Sequence, residues 1–359
     1  MNGEGNKTFG VLVTIIIFEK HLSRTIPSFL MDNNYPETPV FENYSAPEQT
    51  LEFKGKGTEL FGIQLPNWVL TLITLGLYYP WAKVEILKYV YSKTEFAGSR
   101  FKFHGTGKEM FKGFIKAIGI FAVLIGFALF CSLSGKPELI LVGMLGFYAG
   151  LGLLIPVAIH GRMRYRLSRT SWRGIHFGYT GSLKQLYIEC IKGAFLTAIT
   201  FGIYGSWFVV NLRKYIIGNI RFGNIRFSFD GEGGELFIIH LKGYFLSLFT
   251  FGIYLFWYMR DLHFFYINNI LAEQNGRLVR LDANVTGTGY LKLIVGNVLI
   301  MIFTLGLGIP FVTVRTLNFV ISNTQLIGTL DLENIEQAEA DRIGATFEDV
   351  SDLLNLDLV

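Results

Sequence analysis

Charge is scarce in this sequence: 17% of its 359 residues are Asp, Glu, Lys or Arg, against roughly a quarter in soluble domains. Cysteine is scarcer. Cys131 and Cys190 are the only two, without a CxxC pair, which excludes a disulfide framework and a thiolate metal site and leaves two small buried hydrophobes. The histidines (His21, His104, His160, His176, His240, His263) lack HExxH or paired-ligand spacing. No GxSxG, Walker loop or convincing carboxylate pair occurs. No catalytic, metal or cofactor residue is therefore assigned. The net charge of +4 is too dispersed to point to nucleic acid.

Apolar residues fill the space, at 51% hydrophobic and 15% aromatic. They gather into charge-free runs at 60–81, 117–133, 139–159, 195–210, 243–259 and 293–314. Each is near the roughly 20 residues that a helix needs to cross about 30 Å of hydrocarbon. Lipid offers backbone amides no partner, so helices are the expected form. The expected fold is an all-α polytopic membrane protein with about six transmembrane helices, its surroundings a phospholipid bilayer. At the N-terminus the apolar stretch 9–18 is too short to span. Met31 opens a polar stretch, so residues 1–49 are expected to be a disordered lead-in with Met31 the natural start.

The chain also repeats itself. Phe53-Lys54-Gly55-Lys56-Gly57 returns as Phe103-His104-Gly105-Thr106-Gly107 and as Phe229-Asp230-Gly231-Glu232-Gly233. Weaker copies start at Phe177, with Gly181, and at Val285, with Gly287 and Gly289, making five units. Each opening leads into an apolar helix that breaks at glycine, as in Thr74-Leu75-Gly76 and Thr250-Phe251-Gly252. An amphipathic segment follows, with an aromatic at one fixed place (Tyr89, Tyr165, Tyr215, Phe265, Phe319) and a polar residue four later (Lys93, Arg169, Asn219, Asn269, Asn323). A turn glycine and a short alternating stretch close the unit and read as a β-like strand. The second unit is longer and holds two helices joined by a polar turn.

Lys and Arg counted in short loops decide orientation. Loops 81–112 and 160–185 are strongly basic, whereas the turn 132–137 carries only Lys136. The two loops are expected in the cytoplasm and the turn in the periplasm. For units three to five both single crossings and re-entrant helices stay open; re-entrance keeps every Gly-x-Gly on one side.

The long first motif, Phe53-x-Gly55-x-Gly57 with Asn67 and then the run from Leu70 to Ala82 and Lys88-Tyr89, together with the close Asn323-Thr324-Gln325-Leu326-Ile327-Gly328-Thr329-Leu330, resembles the YjgN family of bacterial inner-membrane proteins. The likeness covers about 50–332 and implies a Gram-negative inner membrane. It supplies no catalytic residues.

The Gly-x-Gly openings before a helix are candidate anion contacts through free backbone N–H groups: Gly55, Gly57, Gly105, Gly107, Gly231 and Gly233. The competing reading, a repeated architectural corner, is the blander one. Asn67 and Asn297 occupy matching places, with Gly193 and Gly243 at the same point of other units, and suit close helix packing or a substrate contact. After Leu332 the chain turns acidic, so 333–359 is expected to be a peripheral tail, solvated or docked on a protein partner. Repeats and broken helices favour transport or handling of a lipid or other small molecule, which would travel as bound ligand. A scaffold or accessory subunit is the second reading, and a lipid-modifying membrane enzyme with dispersed residues the third.

Overall fold

The computed structural model describes residues 51–335; the lead-in, Met31 and the tail from residue 336 lie outside them. The order strand, helix, helix, strand occurs five times. The first unit is β1 (Leu51–Phe53), α1 (Gly57–Ile73), α2 (Tyr79–Lys93) and β2 (Thr94–Phe96). The second is β3 (Ser99–Phe103), α3 (Gly107–Leu133), α4 (Pro137–Ser168) and β4 (Thr170–Trp172). Then come β5 (Ile175–Tyr179), α5 (Leu183–Ile199), α6 (Gly205–Gly218) and β6 (Ile220–Phe222). The fourth holds β7 (Ile225–Phe229), α7 (Gly233–Phe249), α8 (Leu255–Asn268) and β8 (Ile270–Gln274). The fifth holds β9 (Arg277–Ala283), α9 (Gly287–Phe303), α10 (Ile309–Ser322) and β10 (Thr324–Ile327).

The strands correct the all-α expectation. They form one ten-stranded antiparallel sheet in sequential order. Each is short, and a pair of that length is marginal alone; ten in sequence support one another. Alternation sets their faces: Ile225, Phe227 and Phe229 of β7 are buried while Arg226 and Ser228 are not. Two-residue turns such as Asn275-Gly276, with φ of 51° and 80°, match the right-handed strand twist. The buried face carries a run of rings across successive strands, Phe101, Trp172, Phe177 and Phe222, with Phe177 and Phe222 stacked at 4.3 Å. These join the lower turns of the helices in one core.

The helices close into a ring. Within each unit the two helices pack as a hairpin, and the second packs on the first helix and the long strand of the next unit. The circle completes because α10 packs on α1 and β1. Every hairpin returns to the sheet: the N–H of Lys54 donates to the carbonyl of Lys93, and the same bond joins His104 to Arg169, Thr180 to Asn219, Asp230 to Asn269 and Asn284 to Asn323. This register shifts two of the expected unit starts by two residues. Tyr179, not Phe177, stands where Phe53 does, and Gly287 rather than Gly289 begins the fifth helix pair, with Val285 in the place of Gly55.

The count of six crossings also changes. Among the described residues, α3 and α4 are the helices long and apolar enough to cross a membrane alone. Four of the six apolar runs (60–81, 195–210, 243–259, 293–314) each contain a turn between two helices. Hydropathy runs unbroken through these turns because their residues are apolar too.

Candidate functional site

Three places in the ring carry chemistry: the corners where strand becomes helix, the hairpin tips, and the ring interior.

At the corners, the fixed tyrosine fastens the Gly-x-Gly segment. Tyr89 Oη accepts the N–H of Lys56 at 2.7 Å and donates to its carbonyl at 3.0 Å. Tyr165 donates to the Thr106 carbonyl at 3.2 Å, and Tyr215 to that of Ser182 at 2.6 Å. The polar residue four later folds back: Asn219, Asn269 and Asn323 donate to the carbonyls of Tyr215, Phe265 and Phe319. Lys93 and Arg169 instead pair with Glu59 (2.7 Å) and Glu109 (3.2 Å).

The glycines of these corners face aromatic rings. A methyl group on Gly107 would stand 2.3 Å from Trp81, on Gly233 2.3 Å from Trp207, on Gly287 2.7 Å from Trp257 and on Gly57 2.4 Å from Phe311. In each case the ring comes from the second helix of the preceding unit, and for Gly57 from the last. Gly55, Gly105 and Gly231 sit over Phe53, Phe103 with Tyr165, and Phe229 with Phe265. The third unit departs from this pattern consistently. Val157 of the second unit stands eight residues before Tyr165, where Trp81 stands before Tyr89, and the third unit has Leu183 in place of the glycine. A smaller partner goes with a larger one.

Asn67 and Asn297 tie their hairpins together. Asn67 Nδ2 donates to Glu85 of α2 at 2.6 Å, and Asn297 Nδ2 to Thr316 of α10 at 3.1 Å. At the matching Gly193 a Cβ would collide with Phe208 of α6, so an aromatic ring takes the room that an amide fills elsewhere.

The tips of the four short hairpins share one construction. Leu75, Phe201, Phe251 and Leu305 adopt φ near +50° and are followed by Gly76, Gly202, Gly252 and Gly306 at φ of 87–94°. Left-handed φ in bulky residues is uncommon and costs about 1–2 kcal/mol. The same threonine stabilises each turn: Thr74, Thr200, Thr250 and Thr304 donate to the carbonyl four residues back and accept the N–H four residues ahead. The glycine N–H reaches back to Thr71, Thr197, Ser247 or Met301. These bonds satisfy most of the backbone donors of the turns without solvent, although the side chains of Phe201 and Phe251 are 98% exposed.

The interior holds polar groups that reach across from one second helix to another. Arg213 of α6 lies 3.8 Å over the ring of Tyr266 in α8, and Arg166 of α4 donates to Tyr91 of α2 at 3.4 Å. Between α8 and the adjoining first helix α9, His263 Nδ1 and Tyr290 Oη are 2.7 Å apart, both buried. These positions stand out only when units are superposed. Two residues before the fixed aromatic come Leu87, Met163, Arg213, His263 and Leu317, so two adjacent units carry a polar ring or cation where three are apolar.

At the sheet, His104 Nε2 is 2.7 Å from Ser171 Oγ, and its ring lies 5.3 Å from that of His176. Burial, then His176, Lys102, Arg169 and Lys88, push its pKa below the usual histidine value. Nearby, the bonds from Lys54 first and Arg100 next hold the Glu95 carboxyl below the ordinary range.

A family of bacterial proteins of unknown function, DUF898, matches residues 48–230 and 269–353. The chain belongs to this family. An inner membrane protein, YjgN, of Salmonella typhimurium is 32% identical over 181 residues, which are 48% of this chain and 41% of that protein. Its Escherichia coli K12 counterpart is 32% identical over 163 residues, 45% of this chain and 39% of its own length. The matched stretch thus spans about two fifths of these relatives. No solved structure matches the chain. As a DUF898 member with inner-membrane relatives, the protein resides in the bacterial inner membrane. The stretch 231–268 that the family match leaves out is the fourth helix hairpin.

Proposed function

We propose that this DUF898 protein handles membrane lipid, its ring of hairpins entering the bilayer from the cytoplasmic face and four of the five turning back inside it. The tips carry this reading. Their first helices are 17 residues long, about 25 Å at 1.5 Å per residue, against about 30 Å of hydrocarbon. Non-helical backbone at that depth requires internal partners, which the threonine and glycine bonds supply. The long hairpin of α3 and α4 crosses twice, placing 132–137 in the periplasm. The sheet, with Arg100, Lys102, Arg221 and Arg226 on its outward side, then lies in the cytoplasm as the positive-inside rule requires.

Four apolar tips that stop short leave the far leaflet to adapt around them by thinning. That geometry lowers the barrier for lipid to move between leaflets. The test is transbilayer movement of a fluorescent phospholipid in proteoliposomes, read by quenching from outside. Movement faster than in protein-free vesicles, and slowed by aspartate at Phe201 and Phe251, is the expected result. Rates equal to those of empty vesicles would remove the reading.

A scaffold role has one observation of its own. Leu330 and Ile335 are buried in the core, and Asn224 Nδ2 donates to the Asn334 carbonyl at 3.1 Å. The chain is therefore held at Asn334 against the turn between β6 and β7, and the acidic residues that follow in sequence offer charge to a protein partner. A stoichiometric protein that co-purifies in mild detergent, and is lost when residues 336–359 are deleted, would move the assignment there.

A further inference from the structure

The charge inside the ring is unbalanced. Arg213 is 6% exposed, and its Nη2 is buried with no hydrogen-bond partner. Tyr266 is the group its guanidinium meets. Among the described residues no carboxylate pairs with Arg213. Arginine cannot shed its proton to escape the penalty of burial, and an ionised group away from water requires a counter-charge and hydrogen bonds. Other charged residues of this fold find such partners: Lys93 meets Glu59, and Arg169 meets Glu109.

The direction of the side chain matters as much as its burial. Arg213 passes from α6 to α8, and Arg166 from α4 to α2. In each case an odd-numbered helix separates the two around the ring, so the contacts run through its interior. Arg213 lies five residues from the sheet end of α6, about 7.5 Å along the axis. In a membrane entered from the sheet side, that is the depth of headgroup phosphates and glycerol rather than of acyl chains.

We propose that the ring interior binds a phosphate group on Arg213, held facing inward by its stacking on Tyr266. A guanidinium offers paired N–H donors whose spacing matches two phosphate oxygens, and an unsatisfied Nη2 is the donor such a ligand would take up. The phosphate is that of a lipid headgroup or a free phosphate ion. The inference deepens the lipid-handling reading by naming what part of the lipid is gripped, but its geometry does not require lipid to move.

The informative variant is R213M, because Met163 occupies the matching position of the second unit and the fold already accepts methionine there. Y266F, which keeps the stacking ring, is the companion. The purified full chain in mild detergent is titrated with inorganic phosphate and, separately, with a short-chain phosphatidic acid, reading thermal stability and bound mass by native mass spectrometry. The wild type is expected to gain stability and bound mass with at least one of them. Apparent affinity in R213M should fall by about tenfold or more, as expected for losing charged hydrogen bonds, while Y266F keeps most of it. A response to inorganic phosphate marks a free-anion site; a response to the lipid alone marks a headgroup site. The proposal is overturned if the wild type responds to neither, or if folded R213M responds as the wild type does. Binding without transbilayer movement would retire the lipid-movement reading and leave this one standing.

Discussion

The hydroxyl of Thr250 accepts the backbone N–H of Tyr254 at 3.1 Å and donates to the carbonyl of Leu246 at 2.7 Å. One side chain thus closes both ends of a turn whose neighbouring Phe251 is almost wholly exposed. Thr74, Thr200 and Thr304 do the same in their hairpins.

Replacing Thr250 with valine keeps the shape and leaves the Tyr254 N–H unmade. The expected cost is about 1–3 kcal/mol for one unsatisfied donor, larger in lipid nanodiscs than in detergent, where water reaches the tip. Thr250→Ser should recover most of it. Unfolding in graded denaturing detergent reads both. Equal stability of valine and serine variants would show that the hydroxyl contributes nothing.

Gly233→Ala places a methyl 2.3 Å from Trp207, and overpacking of this type costs about 1–3 kcal/mol. The adjacent Gly234 has open space around it, so Gly234→Ala should be neutral or stabilising by up to about 1 kcal/mol through helix propensity. Combining Gly233→Ala with Trp207→Val, after the pattern of Val157 and Leu183, should recover part of the loss. Melting temperatures of the three variants, measured side by side, check the ordering.

Because burial and the charges around it depress the folded pKa of His104, the unfolded chain takes up the proton first as pH falls. The stability from the neutral ring is full above about pH 6.5, the ordinary histidine value, and is lost as pH drops through the folded pKa. His104→Asn should flatten that part of the pH profile. A thermal-stability series from pH 8 to about pH 5 reads the difference; identical slopes in the two proteins would contradict it.

Single cysteines at Lys136, Asn275 and Leu75, in a chain with Cys131 and Cys190 replaced, separate re-entrance from crossing. A membrane-impermeant maleimide added from the periplasm should label position 136, label 275 only after the membrane is opened, and leave 75 unlabelled throughout. Labelling of position 75 from the periplasm would mean that the first hairpin traverses the bilayer.

The corner, the fixed aromatic and the polar residue four later were legible in the sequence because each recurs as a residue type at a set distance. The starts of the third and fifth units were not. A strand repeats every two residues, so Phe177 and Tyr179 point the same way and a two-residue slip preserves the pattern; the succession Gly287-Thr288-Gly289 offers the same ambiguity. The glycine breaks within the apolar runs were legible as well, but hydropathy could not tell a crossing from a hairpin, because Leu75 and Phe201 are as hydrophobic as the helices they separate. Arg213 was hidden in a segment that reads as an ordinary amphipathic helix, and its signal lay in comparing it with Leu87, Met163 and Leu317. The candidate glycines and asparagines recur at set places in the sequence, but the partners that come from the neighbouring helix do not show in it: the ring over Gly107 comes from Trp81, and Asn67 meets Glu85.

Circular closure has a consequence for how the chain reaches this shape. The seam joins Phe311 to Gly57 and α10 to β1 and α1, residues at opposite ends of the described chain, while each other joint links units consecutive in sequence. Neighbouring units can dock as they emerge, at small loop-closure cost, but the seam demands that all five be counted and correctly curved. It is therefore the last joint to form and the first place where an error in any earlier one becomes visible, as a ring that fails to meet itself.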